Sequence, residues 1–325
     1  MAGRLALRYD PLPPLVSSAN ATIRFLARRD LAGEDVGPGE SLWALPDAQR
    51  ILQKQKGDGG WSYPGGGKEQ NRAVEDYDQI ETFRMVGFLV EKYGFNCAHP
   101  AMQRAGEYLL ARQTVGGDLR GIYGNQYSPN YSAAIMELLI KAGYADDSRV
   151  ERGLNWLLAM RQNDGGWAIP IRTTRAPLSI EVLGGPTVQP DRSKPFSHLA
   201  TGVVLRAFAA HPRFRSCPQA HEAATLLASR FFQRDAYSDR GAPGFWTKFT
   251  FPFWFTDLLS ALDAVSLLGV TADDPHVGAA LDWLASQQQE SGLWQLYALK
   301  SGSDRDLASW LSLAICRVLR RLGAV

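Results

Sequence analysis

The residues best able to do chemistry sit in EDYDQIETFR, positions 75–84. Glu75, Asp78 and Glu81 recur at every third position, so a helix would place them on one side, with Asp76 beside them. If that side faces an apolar interior, desolvation and mutual repulsion raise at least one carboxyl pKa and leave a neutral acid at pH 7. Such an acid could protonate an alkene; alternatively the cluster could hold Mg²⁺ against a diphosphate. The plainer expectation is that acids in a first helical turn complement the macrodipole, with Glu81 and Arg84 as a surface pair.

A second stretch, GFWTKFTFPFWFTD (244–257), carries seven aromatics in fourteen residues. Trp246, Phe253 and Trp254 could line a cavity, where desolvated ring faces stabilise a cation by about 1–2 kcal/mol each. They could equally form a greasy mouth making peripheral contact with a membrane to collect lipid, or simply pack the start of a buried helix. Asp257 is the one acid near that helix start, and a carboxylate there must be paired or functional. His198 opens another apolar helix as a cap or a base. Tyr123, Tyr127 and Tyr131 could line the same end, while Glu137 and Arg206, each inside an apolar helix, could pair across the interior.

What must position these groups is a repeat. QKGDGGW (55–61), QNDGGW (162–167) and QESGLW (289–294) are variants of one phrase, and QTVGGDL (113–119) is a worn copy. Residues 145–167 match 272–294 without gaps at ten positions, among them Trp156/Trp283, Gln162/Gln289 and Trp167/Trp294. HEAATLLASRFFQRDAYSDRGAPGFW (221–246) is a degenerate further copy. Periods of roughly 20–50 residues belong to solenoids and closed arrays.

Each unit reads as two helices. The first starts at a cap, Asp147 or Asp274, and carries one apolar face, Val150, Leu154, Leu157 and Leu158. The second, as in 131–143, 198–210, 254–269 and 307–319, is apolar nearly all round and therefore buried on every side. With 76–93 and 18–31 the inner helices number six, which predicts an all-α fold. It is an α/α toroid of about six helix pairs in two concentric rings, one domain over 1–325. Residues 170–197, with five prolines, interrupt the pattern as a Pro/Gly-rich loop, read here as a lid over one end of the ring. The Trp of the phrase is expected to fasten adjacent units rather than to touch a ligand.

The phrase, its period and the helix character together resemble the QW repeat of squalene–hopene and oxidosqualene cyclases, and that of protein prenyltransferase β-subunits, over roughly 45–310. The resemblance implies an apolar central cavity for an isoprenoid. It does not bring the family's catalytic signatures. YADD (144–147) and TADD (271–274) lack the first Asp of the cyclases' Asp-x-Asp-Asp motif and sit where caps belong. The residues two before each cysteine are Phe95, Arg215 and Ala314, so the prenyltransferases' Asp-x-Cys zinc motif is missing too, and zinc is not expected. Under a terpene cyclase- or prenyltransferase-like reading the catalytic candidates are Asp76, Asp78, Glu81 and Asp257, with no metal site. The ligand-contact candidates are Tyr127, Tyr131, His198, Trp246, Phe253 and Trp254. A non-catalytic toroid binding lipid or protein, and a carbohydrate-active α/α barrel, are the alternatives.

Composition narrows the partners. Formal net charge is +2 with no Lys/Arg run, which gives no footprint for nucleic acid. No apolar run reaches ~18 residues, so no transmembrane segment is expected. Cys97, Cys217 and Cys316 lie far apart, and the reading is of a cytoplasmic protein with an apolar small-molecule partner, isoprenoid or lipid, and no cofactor beyond Mg²⁺.

Overall fold

The structure, a computed structural model, describes residues 7–65, 75–174, 179–299 and 304–324. Among the described residues, six outer helices alternate with six inner ones. The outer set is α1 (Leu12–Val16), α3 (Pro46–Leu52), α5 (Pro100–Leu110), α7 (Ser148–Ala159), α11 (Pro218–Ala228) and α13 (Pro275–Ser286). The inner set is α2 (Ala21–Ala27), α4 (Tyr77–Tyr93), α6 (Pro129–Leu139), α10 (His198–Ala210), α12 (Leu258–Leu267) and α14 (Leu307–Arg321). The fold is therefore an all-α toroid. Inner helices pack in the order α4, α6, α10, α12, α14, α2. Lys92 at the end of α4 reaches Asp304, before α14, at 2.5 Å, across the seam beside α2.

Burial follows the expected layering. In α10 all but two residues are buried, whereas α7 buries only Val150, Gly153, Leu154 and Leu157. Asp147 and Asp274 cap α7 and α13 by accepting from Arg149 and His276 N–H groups. The inner helix expected at 254–269 begins only at Leu258, because Asp257 and Ser260 form a reciprocal capping box there.

The repeat phrase is a fastener with a constant wiring. The indole Nε1 of Trp61, Trp167 and Trp294 donates to the carbonyl ten residues earlier, on Ile51, Leu157 and Leu284, at 2.8, 2.6 and 2.7 Å. Each Trp backbone N–H donates to a hydroxyl on the paired inner helix, Thr82, Thr201 or Ser312. Leu119 of the worn copy does the same with Ser132. Two residues before each of these positions stands Gly59, Gly117, Gly165 or Gly292, all with φ between 81° and 110°, a conformation that side chains resist.

One detail of the sequence alignment changes. The amide that bridges to the next outer helix lies six residues before the Trp, not five. Gln55 Nε2 donates to Gly59 and Ala101 carbonyls, Gln113 Nε2 to those of Gly117 and Arg149, and Gln288 Nε2 to those of Gly292 and Tyr9. In the QNDGGW copy that position is Arg161, which donates to the Gly165 carbonyl and reaches Glu222 on α11 at 3.1 Å. Gln162 instead holds the carbonyls of Asp191 and Lys194 in the interrupting loop.

Gln288 thus joins the last repeat to the chain before the first. Its Oε1 also accepts from the Arg8 and Tyr9 N–H groups at 3.1 and 3.2 Å. Gln288→Ala is expected to cost about 1–3 kcal/mol, since the amide is buried and its partners lose their bonds together. Hydrogen exchange of residues 8–16 is the check, and unchanged protection there would deny Gln288 this closing role.

The 170–197 stretch carries two short helices, α8 (Pro170–Thr173) and α9 (Ile180–Gly184); its residues 175–178 lie outside the described residues. It is pinned at the end of the ring where α6 begins, by Gln126 Nε2 donating to the Val182 and Pro186 carbonyls. Among the described residues no helix is long and apolar enough to cross a membrane.

Candidate ligand cavity

The segment before α12 does not lie on the surface. It turns into the ring, and none of its seven aromatics is exposed. Trp254 packs edge-on against Phe83 and Phe88 of α4, with ring centroids 5.4 and 5.5 Å away. It fits over Gly87: a Cβ there would come within 2.5 Å of Trp254 Cη2. Arg206 of α10 holds this turn by donating to the Phe253 and Phe255 carbonyls at 2.9 and 3.2 Å. The stretch thus contributes wall to the interior of the ring, with Trp246, Phe249 and Phe251 buried.

On one side of Trp254 opens a cavity of about 550 Å³. Tyr131 and Ala134 of α6, Leu199 and Val203 of α10, Phe245, Trp254 and Phe255 supply apolar wall. Tyr123, Asn130, Asp239 and Arg240 supply polar atoms. Burial pushes both phenols above the usual tyrosine range, so Tyr123 and Tyr131 are hydroxyl donors at neutral pH. Asp239 is engaged by Arg172 at 2.6 Å. A larger cavity of about 710 Å³ lies at the seam between α2, α3, α4 and α14. Its charged groups already satisfy one another, Asp47 with Arg50 and Lys92 with Asp304, and Asp306 accepts from Asn20. The lumen cavity is the better candidate site.

Of the sequence candidates, Tyr131 and Trp254 line this cavity. His198 and Trp246 lie beside it, rings 5.5 Å apart, in a small crevice that shares Leu199, Arg240 and Phe245 with the cavity. Burial holds the His198 pKa below its ordinary value, only partly opposed by the Asp235 carboxylate, so the ring is neutral at pH 7. Phe253 faces the far side of Trp254, next to Glu137 and Arg206. Tyr127 is not in the wall; it packs on Trp156 with centroids 5.7 Å apart.

The four carboxylates proposed as catalytic are placed elsewhere. Asp76 caps α4 through the Gln79 N–H and pairs with Arg112 at 2.8 Å. Asp78 accepts from Lys56 and from the Tyr63 N–H, both at 2.9 Å. Burial would raise its pKa, but those two bonds outweigh it and hold the carboxyl below the usual range. Glu81 is buried and pairs with Arg84 at 2.9 Å; burial wins there, and its pKa rises. The three acids of the sequence cluster thus turn to separate partners: Asp78 to Lys56 of a neighbouring segment, Glu81 to Arg84 on α4 itself, and Glu75 to the Tyr77 hydroxyl, from which it accepts.

Asp257 is fully enclosed. Ser260 N–H donates to its Oδ1 at 2.8 Å, while Oδ2 has no hydrogen-bond partner of good geometry among the described residues. Burial raises its pKa to about 6, against the pull of Ser260 and Arg206. An acid whose folded pKa exceeds its unfolded value binds more protons when folded, so stability falls as pH rises between about 4 and about 6. The fall is about 3 kcal/mol for roughly two units. Asp257→Asn keeps the cap and is expected to flatten that profile in urea melts at pH 4 and pH 7. An equal loss of stability at both pH values would leave the slope in place and show that it does not arise from Asp257.

Sequence reading missed Asp239 and Arg240. They lie in SDRGAP, where no periodicity indicates a direction, and only the fold brings this loop to the lumen.

No family model matches the chain. It is similar to a squalene–hopene cyclase of Bradyrhizobium diazoefficiens, 26% identical over 174 residues, a match that covers 46% of this chain and 21% of that one. The chain therefore spans about a fifth of the length of the curated relative it matches. Among solved structures, a protein from Actinoplanes aligns at TM-score 0.46 and 18% identity, over 88% of each chain. A type II terpene cyclase from Scytonema in complex with geranylgeranyl dihydroxybenzoate aligns at 0.40 and 15%, over 93% of this chain and 99% of that one. A family 88 glycosyl hydrolase from Bacteroides vulgatus aligns at 0.45 and 12%, over 88% of each. In sequence the chain is terpene-cyclase-like; the structural likenesses carry no statement about chemistry.

Proposed function

We propose that this toroid binds an isoprenoid or a similarly apolar small molecule in the lumen cavity between α6, α10 and the aromatic turn. The observation that carries this reading is the wall: five aromatic side chains and four aliphatic ones converge on about 550 Å³. That volume falls in the range of roughly 300–1,000 Å³ typical of small-molecule sites. The similarity to squalene–hopene cyclase supports it. None of Asp76, Asp78, Glu81 and Asp257 is in that wall, which favours binding over turnover. A carbohydrate-active site would call for two carboxylates some 5–10 Å apart, and the cavity wall contains Asp239 alone, already bound to Arg172.

Organic extraction of the purified protein followed by mass spectrometry is expected to release an apolar molecule, and farnesol or squalene is expected to quench tryptophan fluorescence saturably. An empty extract together with no saturable quenching by either compound overturns the reading. Incubation with squalene or isoprenyl diphosphates is expected to return them unchanged. A new product that disappears in Asp257→Asn would replace binding with catalysis.

A further inference from the structure

Arg240 stands apart from the other cations among the described residues. It stands in the cavity wall with φ 53°, a left-handed conformation that costs a non-glycine residue about 1 kcal/mol. The turn that carries it is closed by Asp235 N–H donating to the Gly241 carbonyl at 2.8 Å. The Tyr237 hydroxyl fastens it to the Pro195 carbonyl, and the Asp239–Arg172 pair fastens it from the cavity side. The side chain is thus aimed by a tied loop.

Its guanidinium carbon lies 3.4 Å from the centroid of the Phe255 ring and 5.6 Å from that of Phe245. Stacking occupies the face of the guanidinium and leaves its N–H edge free. Among the described residues no carboxylate pairs with it; the neighbouring Asp239 is taken by Arg172. Burial disfavours its charge and lowers its pKa, and the nearby Tyr131 phenol, neutral at pH 7, supplies no counter-charge. A half-buried cation with no counter-ion is unfavourable until something supplies one.

We propose that Arg240 recognises a carboxylate head group, so that the ligand of the lumen cavity is an apolar chain ending in a single carboxylate. The planar fork of a stacked arginine matches two carboxylate oxygens along its edge. Ser238, exposed beside it, places the head near the rim, and Trp254 over Gly87 bounds the inner part, where the chain lies. A diphosphate would bring more negative charge than this single arginine balances, since Arg172 is committed to Asp239. The inference rests on the lumen-binding reading above.

Titration calorimetry with farnesol, farnesoic acid and farnesyl diphosphate tests it on the whole protein at pH 7.5. The acid is expected to bind at least tenfold more tightly than the alcohol, and more tightly than the diphosphate. In Arg240→Gln that preference should shrink to within about twofold. Arg240→Gly, which relieves the backbone strain, should behave like Arg240→Gln and keeps the test valid if the latter folds poorly. Equal binding of acid and alcohol by the wild type, a preference that survives both substitutions, or tighter binding of the diphosphate overturns the carboxylate assignment while lumen binding stands. Binding of none of the three overturns the lumen reading, and this inference with it.

Discussion

Trp167→Ala is expected to lower the stability of the folded protein by about 3–5 kcal/mol, among the largest losses any single substitution here can cause. The side chain is fully buried, lies 5.7 Å centroid to centroid from Phe208 of α10, and donates to the Leu157 carbonyl near the end of α7. Its N–H is bound by Thr201, so one residue ties an outer helix to its inner partner from three sides. Truncation leaves a cavity that rigid helix ends on both sides cannot fill. Trp156 on the same helix is only half-buried, packing on Tyr127, and Trp156→Ala should cost distinctly less. Denaturant melts of the two variants decide this; comparable losses would contradict the fastening role of the repeat tryptophan.

Glu137→Gln is expected to cost about as much, by a different route. Glu137 Oε2 accepts from Arg206 Nε at 2.9 Å, and both side chains are buried. Burial alone would raise the pKa of this carboxyl, but Arg206 and Lys141 outweigh it and hold it below the usual range. Removing the charge strands a buried guanidinium, a change that costs ~3–5 kcal/mol where it has been measured in other proteins. Because the folded pKa is depressed, the wild type keeps this contribution above the unfolded carboxyl value and loses it as the pH falls through the folded one. The variant should lack that acid limb. The double substitution Glu137→Leu with Arg206→Met is expected to recover stability yet loosen the turn at Phe253 and Phe255, whose carbonyls Arg206 holds. Farnesol binding should weaken in the double variant; unaltered binding would mean that the turn keeps its place without Arg206.

The contribution of sequence is clearest at the repeats. Two helices per unit, one half apolar and one wholly apolar, are written in the 3.6-residue period, and this is a local property. The caps at Asp147 and Asp274 and the fastening role of the tryptophans are legible for the same reason, since each involves neighbours in the chain. The pairing of Glu137 with Arg206 was also open to inference, because two opposite charges in apolar helices need each other.

Where the chain leaves its period, sequence ceases to decide. Glu75, Asp78 and Glu81 share a helical spacing, and the Glu81–Arg84 pair was legible from it, but the capture of Asp78 by Lys56, twenty-two residues earlier, was not. Arg161 replaces glutamine at the bridging position of one copy, which a ten-residue match conceals because the neighbouring Gln162 aligns so well. The lumen was decided by tertiary structure alone. Trp254 turns inward because Gly87 leaves room for it on a helix far away in sequence, and Arg240 enters the wall because its loop is tied to Pro195 and, through Asp239, to Arg172. Helix periodicity determined that there would be a ring. What occupies its centre was settled by contacts between residues tens to more than a hundred positions apart, which no local pattern encodes.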